Sequence, residues 1–306
     1  MFFSTLIRRK ISRMMCSADN LKTMNRAITL VIVIYTIAAL TAALTFVALP
    51  HLDLIYRVLM ADLTATGVVF IASAAFQNSS LYDPYWSLAP PLIGGFLLVN
   101  QLEPRLLLAV ALTSLWGGRL TLNWLKTWQS LDHEDWRYRR LKSQTGRLYW
   151  GVSLFGIHLF PTVLVFLGCL SFFAIASVDP APLGGLDILA SVILLASIWV
   201  EAQADRELHH FRANRSSPSE VLTLGLWARC RHPNYLGEIG FWFGLYLFSA
   251  AALDSFWQIA LIGPVAMLAL FKGISIPMIE HKLLTEKPDY TQYRDKTPQL
   301  LPYGQR

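Results

Sequence analysis

The chain has 306 residues, of which 54% are hydrophobic and only 15% are charged, and its mean hydropathy is +0.44. A composition this apolar excludes a soluble globular domain and predicts an integral membrane protein. The formal net charge is +6, but no motif in the sequence argues for nucleic-acid binding. The charge instead follows the loops of a membrane topology and would also suit an anionic ligand on their side of the membrane.

Apolar stretches near the length of a membrane span predict an all-α, polytopic bundle of seven or eight transmembrane helices. Several of the stretches are short or interrupted, which leaves the number open. A basic flank over residues 1–26 precedes a single membrane domain over residues 27–306, without an internal repeat or a linker. The apolar stretches cover residues 27–49, 55–76, 88–101, 106–125, 151–177, 187–203, 236–250 and 257–279.

Lysine and arginine are unevenly distributed among the connections between these stretches. They are concentrated in the N-terminal flank, in loops 126–150 and 204–234, and in the C-terminal tail, whereas the other side has short connections without any basic residue. The positive-inside rule therefore places both termini and both long loops in the cytosol. The membrane is expected to be that of the endoplasmic reticulum or a bacterial inner membrane. An organelle-targeting leader is the alternative interpretation of the basic N-terminal flank.

Polar residues inside the apolar stretches are candidates for a cavity lining, because charge in lipid is costly. In the second stretch, polar residues at helical spacing form a stripe along one face of the helix, from Asp62 to Gln77. In the fourth, Arg119 precedes Asn123 and Lys126 on one side of the helix. The alternative for these cations is that their long side chains reach the membrane surface.

The connection over residues 78–87 combines a carboxylate with phenol and indole side chains. Asp83 and Tyr85 lie in this segment, and Asp83 is expected to be buried. The alternative is that the aromatic residues form part of an interfacial belt.

The sixth apolar stretch ends in a row of charged residues. Glu201, Asp205, His209 and Arg212 are spaced four, four and three residues apart, so they share one face of a helix. Such a row can hold a ribose hydroxyl at its acidic end and a phosphate at its basic end. The alternative is a helix end stabilised by local ion pairs. No metal site is expected, because no second pair of histidines or cysteines lies at ligand spacing near His209 and His210.

The octet Arg231-His-Pro-Asn-Tyr-Leu-Gly-Glu238 stands directly before another apolar stretch. Asn234 and Glu238 lie four residues apart and share a helix face, where they need a polar partner such as a ligand. Further along, Tyr290 and Tyr293 share a face of a tail that is expected to cover a cytosolic cavity. A tail that merely lies on the membrane surface is the alternative.

These motifs together resemble the C-terminal half of the steroid 5-alpha-reductase superfamily, and most closely its DUF1295 branch. The resemblance rests on Gly225 to Trp227, the octet, the Glu201-x3-Asp205 row, Glu280, and the tail from Tyr290 to Leu301-Pro302. The segments Asp83 to Trp86 and His133 to Tyr138 extend it over residues 60–302. It implies a helix bundle whose cytosolic loops close an NADPH site formed by residues 187–302, and a lipid-facing substrate cavity.

The resemblance also implies residue roles. Asp205 and Arg212 would hold the cofactor, with Glu201 standing where the steroid enzymes have asparagine. Asn234 and Glu238 match residues beside the nicotinamide and adenosine parts of the site.

The remaining cofactor positions come from the octet, the tail and the fourth apolar stretch. The octet residues Arg231, His232 and Tyr235 would add contacts, Tyr293 would close the site, and Arg119 is assigned to it from its polar stripe.

The steroid enzymes polarise the ketone of the substrate with a glutamate and a tyrosine of their N-terminal half, which has no alignable counterpart here. Asp83, Tyr85 and Asp62 are the candidate catalytic acids in their place, since a buried carboxyl group or a phenol can donate a proton.

The implied activity is the NADPH-dependent reduction of a carbon-carbon double bond in a lipid-like substrate, either a steroid or isoprenoid enone or an enoyl group. Two alternatives stay open. An isoprenylcysteine carboxyl methyltransferase type of enzyme shares the Arg-His-Pro element and the tyrosine tail, and it binds S-adenosylmethionine. A non-catalytic lipid-binding membrane protein would use the polar residues for packing alone. The substrate and the oligomeric state stay open.

Overall fold

The computed structural model describes residues 2–128 and 130–301, with side chains described from residue 24 onward, and this part of the chain is helical without strands. The helices are α1 (Phe2–Ala48), α2 (Leu54–Ala75), α3 (Tyr85–Asn100), α4 (Pro104–Thr127), α5 (Trp136–Thr145), α6 (Tyr149–Val152), α7 (Phe160–Ala176), α8 (Gly185–Asn214), α9 (Pro233–Leu253), α10 (Ile262–Leu270), α11 (Ile276–Glu286) and α12 (Tyr290–Lys296). π-helical turns at Ser153–Leu159 and Phe271–Ser275 continue α6 into α7 and α10 into α11.

Seven helical segments of the described chain are long and apolar enough to cross a membrane, which confirms the predicted polytopic helical bundle. The segments are Met24–Ala48, Leu54–Ala75, Pro104–Thr127, Trp136–Ala176, Gly185–Asn214, Pro233–Leu253 and Ile259–Glu286. The predicted stretch at 88–101 does form a helix, α3, but its 16 residues fall short of a typical span. The chain is therefore a multi-pass helical membrane protein.

Two features of the sequence interpretation lie outside the described residues. The side chains of the basic flank up to Lys22 are among them, and so is Pro302, which ends the tail motif. The backbone of the flank continues directly into the first membrane span as part of α1.

The chain divides into two compact units. The first contains the described residues up to Ala89 together with Leu120–Val163, and the second contains Pro90–Arg119 together with the described residues from Leu164 onward. The boundary runs through α3 and α4, so each unit holds part of both helices.

In the first unit, α1 and α2 pack around the short turn that follows α2. Val31 and Val69 are buried with Leu81 in one apolar cluster, and the Tyr35 hydroxyl donates to the Leu81 carbonyl at 2.9 Å. Asn78 starts the turn by accepting a hydrogen bond from the Ser80 amide at 2.8 Å. This is the capping role expected of asparagine, and it positions the segment that carries Asp83 and Tyr85.

In the second unit, α8 and α9 pack closely because glycine lines their contact. A methyl group on Gly237 would lie 2.7 Å from the Ser197 carbonyl oxygen and 2.8 Å from Cβ of Glu201. α9 begins with Pro233 in its first turn, a position that suits proline because the missing amide has no helical partner there. The close approach brings the polar residues of the two helices together.

A buried ion pair joins α4 to the start of α8. Nε of Arg105 lies 2.6 Å from Oδ1 of Asp187, and its Nη2 lies 3.1 Å from Oδ2. Asp187 also accepts from the Gly184 amide at 2.8 Å, so the first turn of α8 is closed by the same carboxylate.

We expect Gly237→Ala to lower the free energy of unfolding by about 1 to 3 kcal/mol, because the new methyl group meets backbone atoms of α8 that cannot rotate away. Thermal unfolding of the purified protein in detergent measures this effect. Gly67→Ala in α2 is the matched control, since nothing lies within 4 Å of its added methyl group. Equal stability of the two variants would contradict the close helix contact.

Candidate functional site

A cluster of charged groups lies in the second unit, around Arg119. Nη2 of Arg119 lies 2.5 Å from Oε1 of Glu201, and its Nη1 lies 2.9 Å from Oδ2 of Asp205. The two carboxylates lie one turn apart along α8, as their spacing requires. A guanidinium that contacts two carboxylates, each through a different nitrogen, is well suited to hold them in a fixed geometry.

Glu238, from α9, adds a third carboxyl group beside Glu201. It is 5% exposed and accepts hydrogen bonds from two indole groups, Trp116 Nε1 at 3.0 Å and Trp242 Nε1 at 2.9 Å. The Trp116 ring stacks on Phe241 with centroids 4.3 Å apart. The indoles thus fix both oxygens of Glu238 on an aromatic wall.

Three carboxyl groups in this cluster share one guanidinium, which leaves polar atoms without partners. Oε2 of Glu201 and Nε of Arg119 are buried and make no hydrogen bond among the described residues. A buried acceptor without a donor is costly, so the cluster suits a ligand that brings hydroxyl, amide or cationic groups.

The end of α8 and the following loop add exposed cations. Arg212 follows Asp205 by two turns along α8 and is exposed, as are Arg206, Arg215 and Arg229. The Asn234 side chain at the start of α9 is half-buried, and no hydrogen bond of its amide occurs within the described residues. Phosphate groups and an amide or hydroxyl group of a ligand would find partners in this set.

The structure gives Arg231 and His232 a contact that the sequence does not reveal. Glu280 Oε1 lies 2.9 Å from Nε of Arg231 and 2.8 Å from Nε2 of His232. Arg231 Nη1 also donates to the carbonyls of Arg294 and Thr297, at 2.7 and 2.6 Å. These two residues hold the C-terminal tail, and their cofactor contact stays a prediction.

Tyr235 and Tyr293 each lie beside a residue of this tail contact. The Tyr235 ring stacks on His232 with centroids 5.4 Å apart, and it packs on Phe271. The Tyr293 hydroxyl donates to the Trp227 carbonyl at 2.6 Å, and burial raises the pKa of this phenol. Tyr293 therefore stays neutral at physiological pH and ties α12 to the loop before α9.

In the first unit, the structure brings together two of the three candidate catalytic acids. The Tyr85 hydroxyl donates to Oδ1 of Asp62 at 2.6 Å and lies 3.0 Å from the Asp62 backbone carbonyl oxygen. Oδ2 of Asp62 is buried and has no partner among the described residues. The pair offers one oriented carboxyl oxygen, which the phenol holds in place.

Asp83, the third candidate, bonds to a different phenol. Its Oδ1 accepts from the Tyr138 hydroxyl at 2.7 Å. Burial raises the pKa of Asp83 to about 6, although Arg137 and the Tyr138 hydrogen bond oppose the increase. Asp83 is therefore a titratable group near neutral pH, but it is not part of the Asp62–Tyr85 pair.

The polar stripe of α2 is buried over most of its length. Thr66 bonds to Thr162 at 2.8 Å, and Thr162 bonds to the Tyr82 hydroxyl at 2.7 Å. Ser73 lies 3.2 Å from Nε2 of His158 in the π-helical turn. Gln77 is exposed and lies beyond the end of α2 at Ala75, so its predicted place in the stripe is wrong. The Thr162 and His158 contacts have no signal in the sequence, because they join distant segments.

The comparisons with known proteins identify a family without an assigned activity. The model of the family described as "Protein of unknown function (DUF1295)" matches residues 69–297. An uncharacterized protein of Schizosaccharomyces pombe is 26% identical over 262 residues, which cover 77% of this chain and 76% of that protein. No solved structure matches the chain.

We expect Arg119→Gln to cost about 3 to 5 kcal/mol of stability, because it leaves Glu201 and Asp205 in a buried site without a counter-charge. Thermal unfolding in detergent measures the loss. The control Arg137→Gln removes an ion pair to Asp135 from an arginine whose side chain is 43% exposed, and it should cost less than about 1 kcal/mol. Similar losses in both variants would show that the Arg119 pairs are not a special constraint.

Proposed function

The chain belongs to the DUF1295 family of proteins of unknown function, and we propose that it is a membrane-embedded, NADPH-dependent reductase. Its reaction would reduce a carbon-carbon double bond in a lipid-like substrate, such as a steroid or isoprenoid enone or an enoyl group. The observation that carries the proposal is the contact of the buried Glu201 and the partly buried Asp205 with Arg119, on a helix that continues to the exposed Arg212.

This set of residues fits the groups of NADPH. Carboxylates accept hydrogen bonds from ribose hydroxyls and from a carboxamide, and Oε2 of Glu201 is a buried acceptor without a donor. A guanidinium group binds phosphate through two N–H donors, and the side chains of Arg212 and Arg229 are exposed and accessible to such a group. Asn234 would complete the set. Tyr235, Tyr293 and the Arg231–His232 pair would shape the site mainly by fixing the tail.

The chemistry divides between cofactor and protein. When bound, NADPH supplies the hydride that reduces the beta carbon of the conjugated double bond. As the hydride adds, the carbon-carbon pi bond breaks and its electrons move toward the carbonyl oxygen, which the protein must polarise. The protein must also supply the proton that the alpha carbon finally takes up. Asp62 in its acid form would donate from Oδ2 to the carbonyl, and Tyr85 would hold Oδ1 so that the donor stays oriented. Asp83 is the reserve candidate for this role.

A methyltransferase that uses S-adenosylmethionine is the second candidate function. Three carboxyl groups around one guanidinium give the Arg119 cluster an excess of negative charge, which would attract a sulfonium cation. S-adenosylmethionine carries one carboxylate and no phosphate, however, so it would give the several arginines beyond Asp205 only a single anionic group to bind. We therefore favour the reductase.

The proposal includes an orientation. The loops that contain the arginines and the tail would face the cytosol, where NADPH is available, together with both termini. The apolar outer faces of the spans would give a lipid-like substrate access from the bilayer. The membrane would be the endoplasmic reticulum or a bacterial inner membrane.

We expect NADPH to raise the unfolding temperature of the detergent-purified protein in a saturable way, because a ligand that binds only the folded state stabilises it by about 2.7 kcal/mol at a hundredfold excess over Kd. Asn234→Ala and Asp205→Asn should lose this shift while remaining folded. Asn100→Ala, which removes an exposed amide that bonds only to its own helix, is the control and should keep it. Stabilisation by S-adenosylmethionine alone would overturn the reductase, and stabilisation by neither would favour a non-catalytic protein.

We expect Asp62→Asn to slow NADPH oxidation with enone substrates by about 100- to 10,000-fold, the usual contribution of a general acid, with NADPH binding unchanged. A panel that contains a steroid enone, a prenylated enone and an enoyl lipid, followed by the absorbance of the reduced nicotinamide, measures the rate. Tyr85→Phe should give a smaller loss, because it removes only the hydrogen bond that orients Asp62. Tyr56→Phe is the matched control on an exposed side chain. Full activity of the Asp62 variant would exclude it as the acid.

A further inference from the structure

A cavity lies wholly within the first unit, and neither Asp62 nor Tyr85 lines it. It has a volume of about 230 Å³ and is lined by side chains from the end of α4, the loop before α5, and the segment after α2. Asp83, Trp124, Trp128, Asp135 and Arg137 are among them. The proposed cofactor site does not use this cavity, and of the three candidate acids only Asp83 lines it.

Two tryptophans in its wall have unused hydrogen-bond donors. The rings of Trp124 and Trp128 stack with centroids 4.7 Å apart, and both Nε1 atoms are buried without a partner among the described residues. Trp128 is only 3% exposed. Because an indole nitrogen can only donate, an acceptor on a bound molecule would satisfy each group.

The charged residues of the wall limit what that molecule can be. Arg137 is already paired with Asp135, through contacts of 2.8 and 3.2 Å, whereas Asp83 accepts from the Tyr138 hydroxyl and also interacts with Ser80 and with the Arg137 charge. An anion would supply acceptors to the indoles but would meet the Asp83 carboxyl without a free cation to offset it. A simple cation would satisfy Asp83 but has no lone pair for the indoles. A hydroxyl group accepts from an indole and donates to a carboxyl group, so it satisfies both.

Size and surface favour several hydroxyl groups on a carbon frame over water alone. The cavity is several times larger than the share of about 30 Å³ that one water molecule takes in the liquid. Part of its wall is the stacked indole pair, against which water loses hydrogen bonds. The C–H surface of a polyol packs on such rings while its hydroxyl groups reach Asp83 and the indole nitrogens.

The position of the cavity indicates where such a group comes from. α4 ends at Thr127 after a membrane-spanning stretch, and the next span begins at Trp136, so the cavity is formed where spans end. Lipid headgroups lie at this level of a membrane. We propose that the cavity binds the polyhydroxylated headgroup of a lipid, of the glycerol or sugar type.

Native mass spectrometry of the full-length protein tests this binding. The protein would be titrated with phosphatidylglycerol, with a monoglucosyl diacylglycerol, and with phosphatidylcholine, which lacks free hydroxyl groups. We expect saturable binding of the first or second lipid in clear preference to phosphatidylcholine. Soluble glycerol and glucose form a separate arm, and binding of these alone would assign the cavity to a free polyol and overturn the lipid assignment.

Conservative variants locate the bound headgroup. Trp128→Phe keeps one aromatic ring but removes the pyrrole ring with its N–H donor, so it should weaken binding of the preferred lipid about 3- to 10-fold, and the double variant with Trp124→Phe should weaken it further. Trp257→Phe, on a side chain that is 88% exposed, is the control and should not change it.

Stability without the lipid separates binding from packing. Trp128→Phe should lower the unfolding temperature of the lipid-free protein only modestly, because the loss of packing in the buried cluster is partly offset by removal of a buried donor that has no partner among the described residues. Unchanged lipid binding in the double variant, or binding of all three lipids alike, would overturn the proposal. NADPH stabilisation should persist in these variants, so this outcome is independent of the proposed reductase activity.

Discussion

The double ion pair of Arg119 is the constraint on which the arrangement of the second unit depends. A carboxylate inside a membrane-spanning helix is stable only when it is paired or hydrogen bonded, and α8 contains two within one turn. Arg119 provides the charge for both, from a helix that is far away in sequence. The registers of α4 and α8 are thereby fixed relative to each other, because a shift by one turn would leave a buried charge alone.

The glycine contact between α8 and α9 extends the same constraint to a third helix. Gly237 lets α9 approach the backbone of α8, and the next residue, Glu238, then lies beside Glu201. Two indole N–H groups donate hydrogen bonds to Glu238 but add no positive charge. The cluster therefore still has three carboxyl groups and one guanidinium. The octet before α9 therefore has two functions. Arg231 and His232 anchor the tail through Glu280, and Gly237 and Glu238 build the contact with α8.

The sequence was sufficient for features that repeat along one helix and insufficient for those that join distant segments. The membrane spans follow from apolar length, and the shared face of Glu201 and Asp205 follows from a spacing of four. The link from Arg119 to Asp205 crosses 86 residues, and no local pattern encodes it. Trp242 lies four residues after Glu238, so the sequence contained a signal for that hydrogen bond. The Asp62–Tyr85 pair had none, because it depends on how the turn after α2 folds back.

The atoms that remain unsatisfied distinguish ligand sites from internal structure. Among the described residues, the buried carboxyl oxygens without a hydrogen bond belong to Asp62, Glu103 and Glu201. The Glu103 oxygen lies 3.7 Å from the Arg105 guanidinium, which compensates its charge within the protein. Oδ2 of Asp62 has no cationic group beside it among the described residues. Glu201 does have one, Arg119, but this cation contacts its other oxygen and is shared with Asp205.

A carboxyl oxygen buried without compensation costs more than a lone hydroxyl, so a fold that keeps two of them gains something in return. Both oxygens belong to side chains whose other oxygen is held by a protein donor, Tyr85 in one case and Arg119 in the other. That combination, one oxygen fixed and one open, is what an oriented proton donor or an acceptor for a ligand hydroxyl requires. The same reasoning applies to the stacked indoles of Trp124 and Trp128, whose rings are fixed by packing while their donors stay open.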